Sequence, residues 1–204
     1  MKITCLPKEG RRLVMTVYVD DEPWVDVHTK IFGRSINLPS CDSVEQLQKK
    51  FIDLEYAKAR KYTLDCLAMR SYPSTQLKKL LVRNLISAET IQKVLEEFTR
   101  LGYLKDEEWI ERFIQAQLGR HVGPQMIIGK LLNKGIPLRE AKNWIEKTVD
   151  ETVTQKSIQH LLKTKYKNRN LSDYREKQKV FAALARKGFD TESIKQNLEC
   201  DESL

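Results

Sequence analysis

The sequence predicts an all-α protein, an elongated and gently curved array of three tandem three-helix repeats preceded by a small N-terminal β-hairpin element. Three observations carry this. Alternating β-prone residues are confined to the first forty positions. The stretch LGYLKDEEWIERFIQAQLGRHVGPQMIIGKLLNKGI, Leu101 to Ile136, holds a complete helix, a Gly-Pro corner and a second helix. Finally, NLISAETIQKVL, KGIPLREAKNWI and KGFDTESIKQNL align without gaps. In these segments Ile86, Ile136 and Phe189 stand before a helix, Ile91, Ala141 and Ile194 follow, and Leu95, Ile145 and Leu198 complete one face. The anchors lie 50 and 53 residues apart, a period with room for three helices per unit.

The N-terminal element comes first. Leu13, Met15, Val17 and Val19 alternate with Val14, Thr16 and Tyr18, which reads as a strand, and WVDVHTKIF after the turn DDEP reads as a second. Pro23 suits an end or edge. His28 is expected to pack or to face solvent rather than to bind a ligand. Two strands alone are marginal, so residues 1–42 are expected to lean on the helices.

Ser43 and Gln46 form a capping box ahead of Val44, Leu47, Phe51 and Leu54, and this helix can run straight into the next, which ends before the Tyr72-Pro73-Ser74 corner. Residues 43–105 make the linker helix and first repeat. The second repeat, 106–152, starts at Asp106, whose carboxylate can cap while Glu107 and Glu108 favour the positive helix end. Trp109, Phe113 and Trp144 lie on its apolar stripes, which predicts burial and a cost of about 3–5 kcal/mol for Trp109→Ala. Gly123 and Pro124 turn the chain, glycine for its tolerance of unusual backbone angles and proline for the first turn of a helix. In the third repeat, 153–204, the polar NRNLSD interrupts two helices. The preceding KTKYKNR is dense in charge, which suits either a nucleic-acid contact or a polar terminal cap.

These residues also carry a family resemblance. SYPSTQLKKLL, LGYLKDEEWIERFI, GPQMIIGKLLNKGI and LARKGFDTESIKQNL occur in order, and on them the chain resembles RecX, the bacterial regulator of the RecA recombinase, from about Glu55 to Leu198. The strand-rich start looks like the extension of longer members. Leu85 departs from the glycine at the matching positions, Gly135 and Gly188, which puts the first helix C-cap in question. The resemblance implies a monomer that enters the groove of a RecA filament on single-stranded DNA, bridges protomers and impedes ATP hydrolysis, strand exchange and co-protease activity. A role in DNA repair, homologous recombination and the SOS response follows from it, with a weak direct contact to DNA.

Composition fits a binding protein. The net charge is +8, and it is unevenly placed: residues 1–55 carry −1, 56–105 carry +6, 106–152 carry −1 and 153–204 carry +4. Basic charge gathered in two places suits a polyanion or an acidic protein groove. Aligning the repeats puts Arg83, Lys134 and the pair Arg186 and Lys187 near the ends of the middle helices, where they can pair with the negative helix end. Lys78, Lys79 and Lys130 lie further in, and the seven together are the expected partner-binding track. The alternative is an architectural protein that holds DNA directly on these basic faces without any recombinase contact.

No catalytic constellation, phosphate loop or cofactor motif is expected. Cys5, Cys41, Cys66 and Cys200 lack the paired spacing of a zinc site or disulfide framework and read as ordinary thiols. No long apolar run and no secretory leader are apparent, so a cytoplasmic location without membrane contact is expected.

Overall fold

A computed structural model describes residues 1–34, 36, 38 and 41–199. Cys200 lies outside them. Helix dominates, and the chain divides into two compact units, Met1–Lys105 and Asp106–Leu204.

The first unit opens with a three-stranded antiparallel sheet, β1 (Ile3–Pro7), β2 (Val14–Val19) and β3 (Glu22–His28), in the order β1-β2-β3. The expected hairpin is therefore corrected: it gains a strand, with Ile3 opposite Val19 and Cys5 opposite Val17. Asp20 and Asp21 both take left-handed backbone angles, the geometry of a tight hairpin turn, so Glu22 already belongs to β3. Pro23 sits on an edge strand, where its missing N–H costs no ladder bond. A second correction concerns Thr29 to Phe32, which continue the β-prone run in sequence but form a short helix, α1 (Thr29–Phe32). His28, buried at the end of β3, caps it by accepting from the Lys30 N–H at 3.1 Å.

The sheet leans on α2 (Val44–Met69), one continuous helix capped by Ser43. Phe51 meets the Trp24 ring edge-on and stacks on Phe32, with centroids 5.1 and 5.6 Å apart. Against α2 lie α3 (Ser74–Arg83) and α4 (Ala88–Arg100), around Ala59, Leu77, Leu81, Ile91, Val94 and Phe98. Buried Glu55 on α2 accepts from both the Ser87 N–H and its hydroxyl, so the N-cap of α4 is itself held by a carboxylate.

The second unit contains α5 (Asp106–Leu118), α6 (Pro124–Lys134) and α7 (Leu138–Thr148), then α8 (Glu151–Thr164), α9 (Tyr174–Arg186) and α10 (Thr191–Glu199). Ile110, Ile114, Ile127 and Leu131 fill the first core, and Ile158, Leu184, Ile194 and Leu198 the other. Trp109, Phe113 and Trp144 are only half-buried, with Trp109 and Phe113 stacked 5.0 Å apart. The expected cost of Trp109→Ala falls accordingly, to about 2 kcal/mol.

All three repeats close their middle helix in the same way. The Ile86, Ile136 and Phe189 N–H groups donate back to Leu81, Leu131 and Leu184, each leucine fully buried. The intervening residue is left-handed every time: Leu85 (φ 62°), Gly135 (96°) and Gly188 (90°). Leu85 thus adopts the glycine conformation and keeps the cap, at a backbone cost of about 1–2 kcal/mol.

Candidate partner-binding surface

The repeated caps determine where the basic residues sit. On α3, Lys78, Lys79 and Arg83 are exposed, and the terminal carbonyls of Leu80, Leu81 and Val82 already accept backbone N–H groups. Arg83 lies close enough to His28 to add to the burial and the Lys30 charge that hold that imidazole below its ordinary pKa. Lys78 also borders an apolar groove between α3 and α4, about 520 Å³, floored by Val82, Ile91 and Leu95. Basic heads beside open apolar surface are suited to holding an acidic, partly apolar partner segment.

The residues on α6 and α9 are used differently. Lys130 is half-buried and donates to Oε1 of buried Gln117 on α5 at 2.6 Å, so it ties α6 to α5. Lys134 is half-buried and has an interaction partner. Arg186 is exposed, whereas the half-buried Lys187 donates to the His121 carbonyl at 3.3 Å. Of the seven residues, Lys78, Lys79 and Arg83 lie together on one helix of the first unit. Lys130 and Lys187 approach each other within the second, where burial first, then Lys165 and Lys130, push the Lys187 pKa down.

Lys165, His121 and His160 belong to the same corner and escaped the repeat alignment. The His121 and His160 rings stack 4.0 Å apart, and burial, His160 and Lys187 lower the His121 pKa. A lone histidine in GRHVGP carries no sequence signal for this, because its partners come from α8 and α9. Beneath them runs a backbone joint. The Gly123 N–H donates to Lys187 O at 2.8 Å and the Gln125 N–H to Gly188 O at 3.0 Å, so the start of α6 meets the end of α9. The sequence reason offered for Gly123 is corrected here. Its φ of −71° is ordinary, and glycine is required because a Cβ would stand 2.3 Å from Gly188 C.

Several other charges are paired within the fold. Glu97 on α4 accepts from the Tyr56 hydroxyl at 2.6 Å and the Arg60 Nε at 2.9 Å, which holds its carboxyl below the usual range and pushes the Tyr56 phenol up. In the KTKYKNR run, Arg169 pairs with Glu176 at 2.7 Å and Lys165 lies over the Tyr166 ring. Among the described residues, no group of three His, Cys, Asp or Glu could hold a metal ion, and no helix is long and apolar enough to cross a membrane. Cys5, Cys41 and Cys66 form no disulfide among the described residues.

Comparison with known proteins places this architecture. Residues 154–198 match the family description "RecX, third three-helix domain". A regulatory protein RecX of Streptococcus agalactiae serotype Ia is 26% identical over 210 residues, covering 98% of this chain and 78% of the relative. Another from Legionella pneumophila strain Corby is 29% identical over 137 residues, 67% of this chain and 90% of the relative. Two crystal structures share the fold. That of a regulatory protein RecX has a TM-score of 0.63 at 19% identity, covering 97% of this chain and 98% of the other. That of RecX from Lactobacillus salivarius has a TM-score of 0.61 at 17% identity, covering 74% and 98%.

Proposed function

The chain belongs to the RecX family of regulatory proteins, and from that premise we propose that it binds RecA filaments on single-stranded DNA and slows their ATP hydrolysis, strand exchange and co-protease activity. It acts by occupancy and has no catalytic step of its own. The observation that supports this reading best is the α3 face. Lys78, Lys79 and Arg83 are exposed on one helix, Lys78 borders an apolar groove, and the terminal carbonyls of the helix already have backbone partners, so capping does not account for the three. Cytoplasmic RecA is the partner, and a monomer is the acting form.

The test follows from the exposure of those three residues. Reversing Lys78, Lys79 and Arg83 to Glu should relieve inhibition of RecA ATPase at least tenfold in the concentration required, with circular dichroism and melting unchanged. Full inhibition by the folded triple variant would remove α3 from the interface. Lys130 and Lys187 are unsuitable for this test because each holds a fold contact. Salt separates the reading from direct DNA binding: phosphate contacts lose about one log unit of affinity per log unit of salt each, and a protein interface need not.

A further inference from the structure

The corner where α5, α6, α8 and α9 meet gathers five basic groups: His121 after α5, Lys130 on α6, His160 on α8, Lys165 at the end of α8 and Lys187 at the end of α9. None of the three lysines has a carboxylate partner among the described residues. Lys130 reaches a glutamine amide, Lys187 a backbone carbonyl and Lys165 a ring face. Nδ1 of His121 is buried without a hydrogen-bond partner.

Helix capping explains little of this. The carbonyls that end α5 are already bonded: Gln117 O accepts from Arg120 and Val122, and Leu118 O from His121. The amides that start α6 are likewise taken by Lys187 O and Gly188 O. Of the three lysines, Lys187, on the His121 carbonyl, is the one with a structural role just past a helix end. The excess positive charge is held in place by the backbone joint beneath it, and it lacks a counter-charge among the described residues.

We propose that this corner is a phosphate-binding site, with Lys187, Lys165 and Lys130 holding the oxyanion and the stacked His121 and His160 forming its wall. A tetrahedral oxyanion accepts from several ammonium groups at once, and its charge relieves the mutual repulsion of the lysines. Burial and neighbouring cations keep His121 and Lys187 low in proton affinity, so a bound anion should reverse that depression. The site stands independently of any recombinase contact.

The chain has only three histidines, and His28, in the first unit, serves as an internal reference. Proton NMR of the imidazole C–H signals would be followed against pH in sodium phosphate, in sodium chloride of equal ionic strength and with a short oligothymidylate. In phosphate the His121 midpoint should rise by about one unit or more, the effect of an opposite charge nearby, while that of His28 stays put. Lys187→Ala should abolish the rise. Lys165→Ala, a change at an exposed side chain, should diminish it with folding intact. A rise with oligothymidylate as well identifies a nucleic-acid phosphodiester as the source, and a rise with phosphate alone a free phosphate group. Equal His121 midpoints in phosphate and chloride, an equal shift at His28, or an undiminished rise in Lys165→Ala would overturn the proposal.

Discussion

Two glycines six residues apart should respond in opposite ways to alanine. At Gly123 the added Cβ would lie 2.3 Å from Gly188 C, 2.4 Å from Gly188 O and 2.4 Å from Phe189 N, all backbone atoms that cannot rotate away. Restoring ordinary contact requires a separation of more than about 1 Å between the start of α6 and the end of α9. The hydrogen bonds of 2.8 and 3.0 Å would stretch past any useful length. Two net hydrogen bonds, plus the desolvation of a buried N–H left without a partner, place the loss at about 3–5 kcal/mol. At Gly129 a Cβ meets nothing within 4 Å, and the residue is inside α6. There the higher helix propensity of alanine should add about 0.8–1 kcal/mol. Urea unfolding followed by Trp109 and Trp144 in the second unit, with hydrogen exchange at the Gly123 and Gln125 amides, measures both. A Gly123→Ala variant within about 1 kcal/mol of the parent, with both amides still protected, would refute the account of the joint.

The same geometry bears on the cap glycine of the last repeat: Gly188→Ala should cost clearly more in chemical denaturation than the left-handed strain of about 1–2 kcal/mol alone, since its added Cβ would also lie 2.3 Å from Met126 N. Glu55→Ala should destabilise by about 1.5–3 kcal/mol, the range for hydrogen bonds to a charged group, and hydrogen exchange at the start of α4 should rise with it. His121 has a folded-state pKa below its unfolded value of about 6.5, so its stabilisation is complete above that value and is lost as pH falls through the folded pKa. His121→Asn, which tolerates the left-handed backbone, should flatten the loss of melting temperature between about pH 7 and 5, and an unchanged slope would show that His121 contributes none of it.

The sequence exposes those parts of the fold that depend on near neighbours. The register of Ile86, Ile136 and Phe189 is a local period, and the caps behind it involve residues five apart, so alignment finds all three even where Leu85 replaces glycine. The apolar stripe of α5 gives the direction in which Trp109 points but not how deep it sits, because depth is set by what other helices leave uncovered. β1 escapes for a related reason: ITCLP is short, ends in proline and becomes a strand only when β2 offers its edge. Thr29 to Phe32 mislead in the opposite direction, since β-prone residues are turned into a helix by the His28 cap. For the basic residues, spacing separates neither Lys79, which is exposed, from Lys130, which is committed to Gln117, nor Lys165 from an ordinary surface lysine. Their roles depend on partners dozens of positions away.

The backbone joint explains how the second unit can hold such a cluster of positive charge. A contact made by interdigitated side chains can slide when like charges repel, since each rotamer yields a little. Here the positive start of α6 faces the negative end of α9, and two amide–carbonyl bonds set their register. Each such bond contributes about 1 kcal/mol net, and the two together oppose the slide that would separate the charges. The joint therefore prevails, and Lys130 and Lys187 stay near one another with no carboxylate partner among the described residues. Glycine at both 123 and 188 is what allows the two backbones this close, so the electrostatics of the corner depend on two residues that carry no charge.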